Sequence, residues 1–330
     1  MEIFDFINKE ENLLFSKLSK KDLEEIIHYL NLYLLKYRKT LNLESKDTFG
    51  IEIETEDIID YNDIFSAFAI YEDEGWTKKE DSSLDDGLEF ISPALSDDKD
   101  SWLAIKRVCN ILKNYSSIND KCAAHVHVGA QILPNNWEIF SRFLLLWATY
   151  EDVIYRFCNG EYSITRSSIN DYAFQCNFDF NEYYNLLNAK KESIFLQVFN
   201  ELRKIDNPAV SFEKCSLLGV YKFNNTIEFR NPNGTLNPII WQNNINLFMK
   251  MLYYVTSDRF NYDIILNRRK INTNNNLYFS NYNMIHMDSA LEFCDLIFNN
   301  NLDKVYFLKQ YLKNNNEDTK DFKKVLGLTR

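Results

Sequence analysis

The sequence predicts an α+β fold, in which an antiparallel β-sheet presents one chemical face and one packing face and is backed by helices. Three observations carry this. Gly50-Ile-Glu52-Ile-Glu54, His125-Val-His127-Val128 and Thr226-Ile-Glu228-Phe-Arg230 alternate polar with apolar residues at the period of a strand. The segments between them place apolar residues at three- and four-residue spacing, the period of an amphipathic helix. Tight-turn signals at Asp85-Asp86-Gly87 and Asn224-Asn225 join strands as hairpins.

Taken in order, residues 1–47 read as an N-terminal helical extension. Ser19 is placed as a cap ahead of an acidic first turn, and Leu23, Ile26, Ile27, Leu30 and Leu34 form the apolar stripe. His28 falls within it and reads as structural. Residues 48–260 form the main domain. Its first strand spans Thr48 to Thr55, followed by a helix through Ile58, Ile64 and Phe68 that ends before Gly75. A hairpin runs from Trp76 to Pro93, with Glu89 on its return strand between apolar Leu88 and Phe90. A carboxylate in that setting needs a partner.

A helix from Asp98 to Asn114 precedes the His125 strand, and another runs from Pro134 to about Phe157, stopped by Asn159-Gly160. Arg166 to Tyr172 reads as a loop, and residues 180–204 as a helix. A hairpin joins Cys215–Phe223 to Thr226–Arg230. Asn237 then caps a helix whose first position is Pro238. Residues 261–330 read as a polar, Asn-rich helical region packed on the same domain.

Composition narrows the function. The 330 residues contain 37 Lys+Arg against 48 Asp+Glu, a net charge of −11, so nucleic acid is not expected as a partner. A nucleoside triphosphate needs only a few local cations and is compatible with that charge. The acidic N-terminus lacks a secretory leader, and the longest apolar run, Phe143 to Ala148, is too short for a membrane span. Six scattered cysteines without a C-x-x-C pair suit reduced thiols, so a cytoplasmic location is expected.

The choice of polar residues is what departs from an ordinary strand. A solvent face collects Thr, Lys, Ser and Gln, whereas these strands collect Glu52, Glu54, His125, His127, Glu228 and Arg230. On one sheet, three carboxylates and two imidazoles would repel or desolvate one another unless cations sit among them. A metal–nucleotide site on the sheet is the economical reading. Two rivals stand beside it: a metal-dependent hydrolase using His125-x-His127, for which the only later histidine is His286, and an inactive binding or scaffold protein. Asp81 and Ser82 read either as turn residues or as site residues.

The ordered series Gly50-x-Glu52-x-Glu54, Asp81-Ser82-Ser83, Glu89-x-x-Ser92-Pro93, His125-x-His127-Val-Gly129, Arg166 with Tyr172, and Glu228-Phe-Arg230 with Asn233-Gly234-Thr235 resembles the amidoligase family. These are carboxylate–amine ligases related to glutamine synthetase. Two departures stand out: Cys122-Ala-Ala precedes the histidine strand where the family tends to carry Cys-Gly, and Asp81-Ser82-Ser83 replaces Asp-Gly-Ser.

The resemblance implies a glutamine synthetase-like funnel holding ATP and Mg2+ or Mn2+. It further implies Glu52, Glu54, Glu89, His125 or His127, and Glu228 as metal ligands. Arg230 and Arg166 would hold phosphate, with Ser82 and Asn233 also on the nucleotide side, and Asp81 is a candidate base for the incoming amine. The expected reaction is ATP-dependent amide-bond formation through an acyl phosphate. Its partners would be carboxylate and amine substrates, whether small molecule, peptide or protein, and a homo-oligomer is compatible with the family.

Overall fold

The computed structural model describes residues 12–32, 34–216, 225–274 and 286–313. Its centre is a six-stranded open sheet of order β2-β3-β1-β4-β6-β5, antiparallel throughout. The strands are β1 (Phe49–Thr55), β2 (Thr77–Lys79), β3 (Leu88–Ile91), β4 (Ala124–Gly129), β5 (Val210–Ser211) and β6 (Thr226–Phe229). The expected alternation holds. Ile51, Ile53, Phe90, Val126, Val128, Ile227 and Phe229 are buried on the packing face.

That face is covered chiefly by two apolar helices. These are α4 (Trp137–Cys158) and α8 (Pro238–Thr256), reached after α1 (Lys20–Leu32), α2 (Tyr61–Glu72), α3 (Lys99–Tyr115), α5 (Ile169–Tyr172), α6 (Asn177–Lys190) and α7 (Phe195–Leu202). Phe229 of β6 stacks on Phe248 of α8 with ring centroids 4.0 Å apart, and Trp147 of α4 lies 5.9 Å from the same ring. Phe49 of β1 stacks on Trp102 of α3 at 4.9 Å. Offset aromatic contacts of this kind add to the burial energy and fix the sheet against the helices. The C-terminal helices α9 (Tyr262–Asn274), α10 (Met287–Ile297) and α11 (Asn301–Leu312) pack into the same apolar core.

Helix starts follow the capping residues in the sequence. Asp60, Asp98, Asn136 and Asn237 each accept from backbone amides in the first turn of α2, α3, α4 and α8, and Pro238 occupies the first position of α8. The N-terminal expectation is corrected in one respect: α1 ends at Leu32, and Leu34 lies beyond it and is exposed. The helix expected over 180–204 is two, with a 3₁₀ turn at Lys191–Ile194 between α6 and α7. The segment Arg166–Tyr172 is not wholly loop, since its second half forms α5.

Most of the first strand of the expected 215–230 hairpin, and its Asn224 turn residue, lie outside the described residues. The described partners of β6 are β4 and the short β5. No described helix is long and apolar enough to cross a membrane. All six cysteines are buried and unpaired.

Candidate metal centre and flanking cavities

Register brings the polar residues together. Directly opposed residues of an antiparallel pair share a face and have Cβ atoms roughly 5 Å apart. Across β1 and β4, Glu52 faces His125 and Gly50 faces His127; across β1 and β3, Glu54 faces Glu89; across β4 and β6, His127 faces Glu228. One slip of register on any strand would send its set to the packing side. A Cβ built at Gly50 would sit in ordinary van der Waals contact, 3.8 Å from the His127 Cβ and 3.5 Å from Ser92 Oγ.

The six predicted ligands therefore form one buried cluster. His125 Nδ1 lies 3.0 Å from Glu52 Oε2 and 3.5 Å from Glu228 Oε1, and His125 Nε2 lies 3.6 Å from Glu54 Oε1. His127 Nε2 is 2.9 Å from the other Glu52 oxygen. Three overlapping sets can each converge on one ion with donor atoms within 4.8 Å of one another: Glu52, His127 and Glu228; Glu52, Glu89 and His125; Glu54, Asp81 and Glu89. Glu52 and Glu89 each belong to two sets. Carboxylate oxygens with one imidazole suit hard divalent cations, Mn2+ tolerating nitrogen better than Mg2+.

Charge within the cluster is partly balanced by the protein. Burial would raise the Glu52 carboxyl, but hydrogen bonds from both imidazoles hold it far below the usual carboxylate range. Glu228 is likewise lowered: burial opposes, and His125, His127, Lys214 and Arg230 outweigh it. Glu89 goes the other way, pushed up to about 7 by burial and by the charge of Glu52, despite the ammonium of Lys79 at 2.6 Å. For His125, burial favours the neutral ring, but Glu52, Glu54 and Glu228 win and raise its pKa.

Two lysines that the sequence reading did not single out thus belong to the site. Lys79 sits on β2 opposite Glu89, and Lys214 lies 3.9 Å from both Glu52 Oε1 and Glu228 Oε2. The signal for Lys79 was available, because its period-two position on the hairpin faces Glu89. Lys214 comes from a turn after β5 and had no periodicity to mark it.

The remaining predicted residues separate. Asp81 joins Glu54 and Glu89 as a potential ligand. Burial raises its carboxyl, yet the Ser83 hydroxyl and amide together with Lys79 hold it below the ordinary value. Ser82 lines a cavity of about 170 Å3 with Glu54, Asp81, His125, Arg166 and Arg230. A second cavity, about 140 Å3, opens beside Gly50, Ser92, His127, Lys214 and Thr226. Arg230 reaches 4.0 Å from Glu228 and donates through Nε to the Tyr172 carbonyl.

Arg166 is buried, with its guanidinium donating to the carbonyls of Pro232 (3.3 Å) and Arg230 (3.0 Å), and burial lowers its pKa to about 10. Asn233 spends its side chain inside the protein: Oδ1 accepts from the Arg166 amide and Nδ2 donates to Ile164 O. It positions Arg166. The Cys122-Ala-Ala departure is also resolved in space, since the Ala123 amide donates to Glu54 Oε2 at 2.6 Å and Cys122 O accepts from Gly234. Burial pushes the Cys122 thiol up to about 12, which leaves it a poor nucleophile. His286 lies beside Asp152, 3.6 Å away, and belongs to none of the three sets.

Fold and site together define a protein whose antiparallel sheet carries a buried carboxylate–imidazole centre flanked by arginines and lysines. The family model described as "Putative amidoligase enzyme" matches residues 15–252, most of the chain and every residue of that centre. The chain belongs to this amidoligase family. Neither a curated protein nor a solved structure matches it.

Proposed function

We propose that this protein is an ATP-dependent carboxylate–amine ligase that activates its acid as an acyl phosphate, on a sheet curved as in the glutamine synthetase-like funnel. The observation that supports it most is the run of three ligand sets sharing Glu52 and Glu89, with Arg230 at one border. A carboxylate is a poor electrophile at neutral pH, and phosphorylation by the γ-phosphoryl of ATP supplies a leaving group that an amine can displace. That transfer brings anions together, so it calls for positive charge at the developing oxygens.

The six ligands would hold Mg2+ or Mn2+, which supply Lewis-acid neutralisation of the triphosphate when bound. Arg230 has donors left to receive phosphate oxygens beyond its bond to Tyr172. Lys214, exposed beside Glu52 and Glu228, adds a mobile cation on the other side. Asp81, held below its ordinary value, suits ligation better than proton uptake, although the sequence put it forward as the base.

The test is ADP release from the full chain with ATP, Mg2+ or Mn2+ and mixed amino acids, beside a Glu228→Ala preparation. The parent is expected to release ADP only when acid and amine are added, and the variant is expected to release none. Absence of ADP from the parent, together with absence of ATP–Mn2+ binding by calorimetry, would refute the reading.

A further inference from the structure

Arg166 also lines another cavity of about 180 Å3, whose wall includes no member of the three ligand sets. Its wall includes Ile118, Tyr162 and Ile164, with Asp120 exposed at the rim and Gly234 at the back. Arg166 is common to this cavity and to the one that contains Glu54, Asp81 and His125. Each is smaller than the roughly 300 Å3 at which pockets for whole drug-sized ligands begin. One small molecule, or one residue of a larger one, is what the space accommodates.

The chemistry of the wall is unusual for a surface void. Arg166 is 3% exposed, and its guanidinium meets only neutral carbonyls. Its Nε has no hydrogen-bond partner, and among the described residues no carboxylate lies within ion-pair distance of the group. Glu54 acts on this cation only from beyond ion-pair distance, so its burial is incompletely compensated, and an anion bound beside it would offset part of that cost. The apolar side chains of Ile118, Tyr162 and Ile164 would be left against water without an occupant, and Ile164 is 58% exposed. One buried cation, one rim carboxylate and an apolar wall are together complementary to a zwitterion with an apolar side chain.

We propose that this cavity binds an apolar α-amino acid, free or as the end of a peptide: carboxylate toward Arg166, ammonium toward Asp120, side chain against Ile118, Tyr162 and Ile164. Calling that ligand a substrate rests on the ligase reading; its binding does not. Arg166 lines both this cavity and the one that contains Glu54, Asp81 and His125. Asn233 sets the position of Arg166 from behind through its bond to the Arg166 amide.

Calorimetry on the full chain without nucleotide or metal tests this with L-leucine and L-phenylalanine as probes and 3-methylbutylamine as the analogue lacking the carboxylate. An Ile164→Asp variant is titrated alongside; the site is exposed, so the fold is expected to tolerate it. At least one amino acid should bind, with affinity at least tenfold weaker for the amine and at least tenfold weaker in the variant. Absence of binding by both amino acids, equal binding of the amine, or unchanged binding in Ile164→Asp would each overturn the proposal. A parallel titration with ATP and Mn2+ separates the two conclusions: nucleotide binding without amino-acid binding sinks this cavity and leaves the ligase reading standing.

Discussion

Glu52 is the residue on which the candidate metal centre would depend most, and Glu52→Gln tests that dependence as a thermal shift. Its two oxygens face different imidazoles, at 3.0 and 2.9 Å, and belong to two of the three ligand sets. A ligand that binds only the folded state at 100 times its Kd stabilises by about 2.7 kcal/mol. At roughly 2 °C per kcal/mol for a chain of this size, Mn2+ should raise the parent Tm by roughly 5 °C. Gln keeps the shape but halves the acceptors and removes the charge.

If affinity falls a hundredfold, the same Mn2+ concentration stabilises the variant by only about 0.4 kcal/mol, a shift under roughly 1 °C. The quantity to compare is the Mn2+-minus-EDTA difference in scanning fluorimetry. The metal-free Tm also moves, because removing the Glu52 charge relieves Glu89. Glu228, a member of one set, should retain more of the shift as Glu228→Gln, and Glu151→Gln, distant in α4, should retain all of it. A Glu52→Gln shift equal to the parent's would refute the assignment of these carboxylates to a metal.

Three further outcomes follow from the same structure. Lys79→Met removes the ammonium at 2.6 Å from Glu89, so the metal-free protein should lose stability while the Mn2+-induced shift grows; a shift that shrinks would mean Lys79 supports the ion rather than standing in for it. Glu151 is fully buried and its carboxyl is pushed up to about 7 by burial, against donation from Trp147, Cys176 and Asn177. Folding therefore takes up a proton between the unfolded value near 4.5 and about 7, and stability is lost as pH rises through that window, by up to about 3 kcal/mol. Denaturant unfolding from pH 5 to 8 should show a shallower decline in Glu151→Gln than in the parent, and an identical decline would exclude Glu151 as the source. Phe229→Ala, which empties the stack on Phe248, should cost roughly 3–5 kcal/mol in guanidinium unfolding; a loss below about 1 kcal/mol would mean the sheet does not rely on that contact.

The sheet and its ligands were legible because both are written at period two. Once Glu52, His125 and Glu228 sit on strands, their neighbours at two-residue spacing must share the face, whereas the order in which the strands pair was not legible and comes from the structure. What the sequence could not show depended on distance across the chain. Lys214 reaches Glu52 from a turn with no periodicity, and nothing local marks Arg166 as buried, since its burial is created by the carbonyls of Pro232 and Arg230. The resemblance put Asn233 on the nucleotide side, and in the structure both ends of its amide are taken by Arg166 and Ile164. The break at Lys191–Ile194 has neither Gly nor Pro to announce it, so a single helix was the natural expectation.

The cluster also explains how such a face can fold before any cation arrives. Four buried glutamates on adjoining strands would by themselves oppose folding. Here His125 and His127 meet Glu52, Lys79 meets Glu89, and Lys214 and Arg230 border Glu228. Each of the four carboxylates thus has a side-chain cation or imidazole within ion-pair distance, Glu54 lying 3.6 Å from His125 and also taking the Ala123 amide. The provisional partners differ in how easily they leave. Lys79 and Lys214 are about half exposed on long flexible stems and can swing into water, whereas the imidazoles are fixed on β4 and stay in place as candidate ligands. Metal binding should therefore free the lysines, leaving those two ammonium groups at the edges of the centre, where an anionic substrate would arrive.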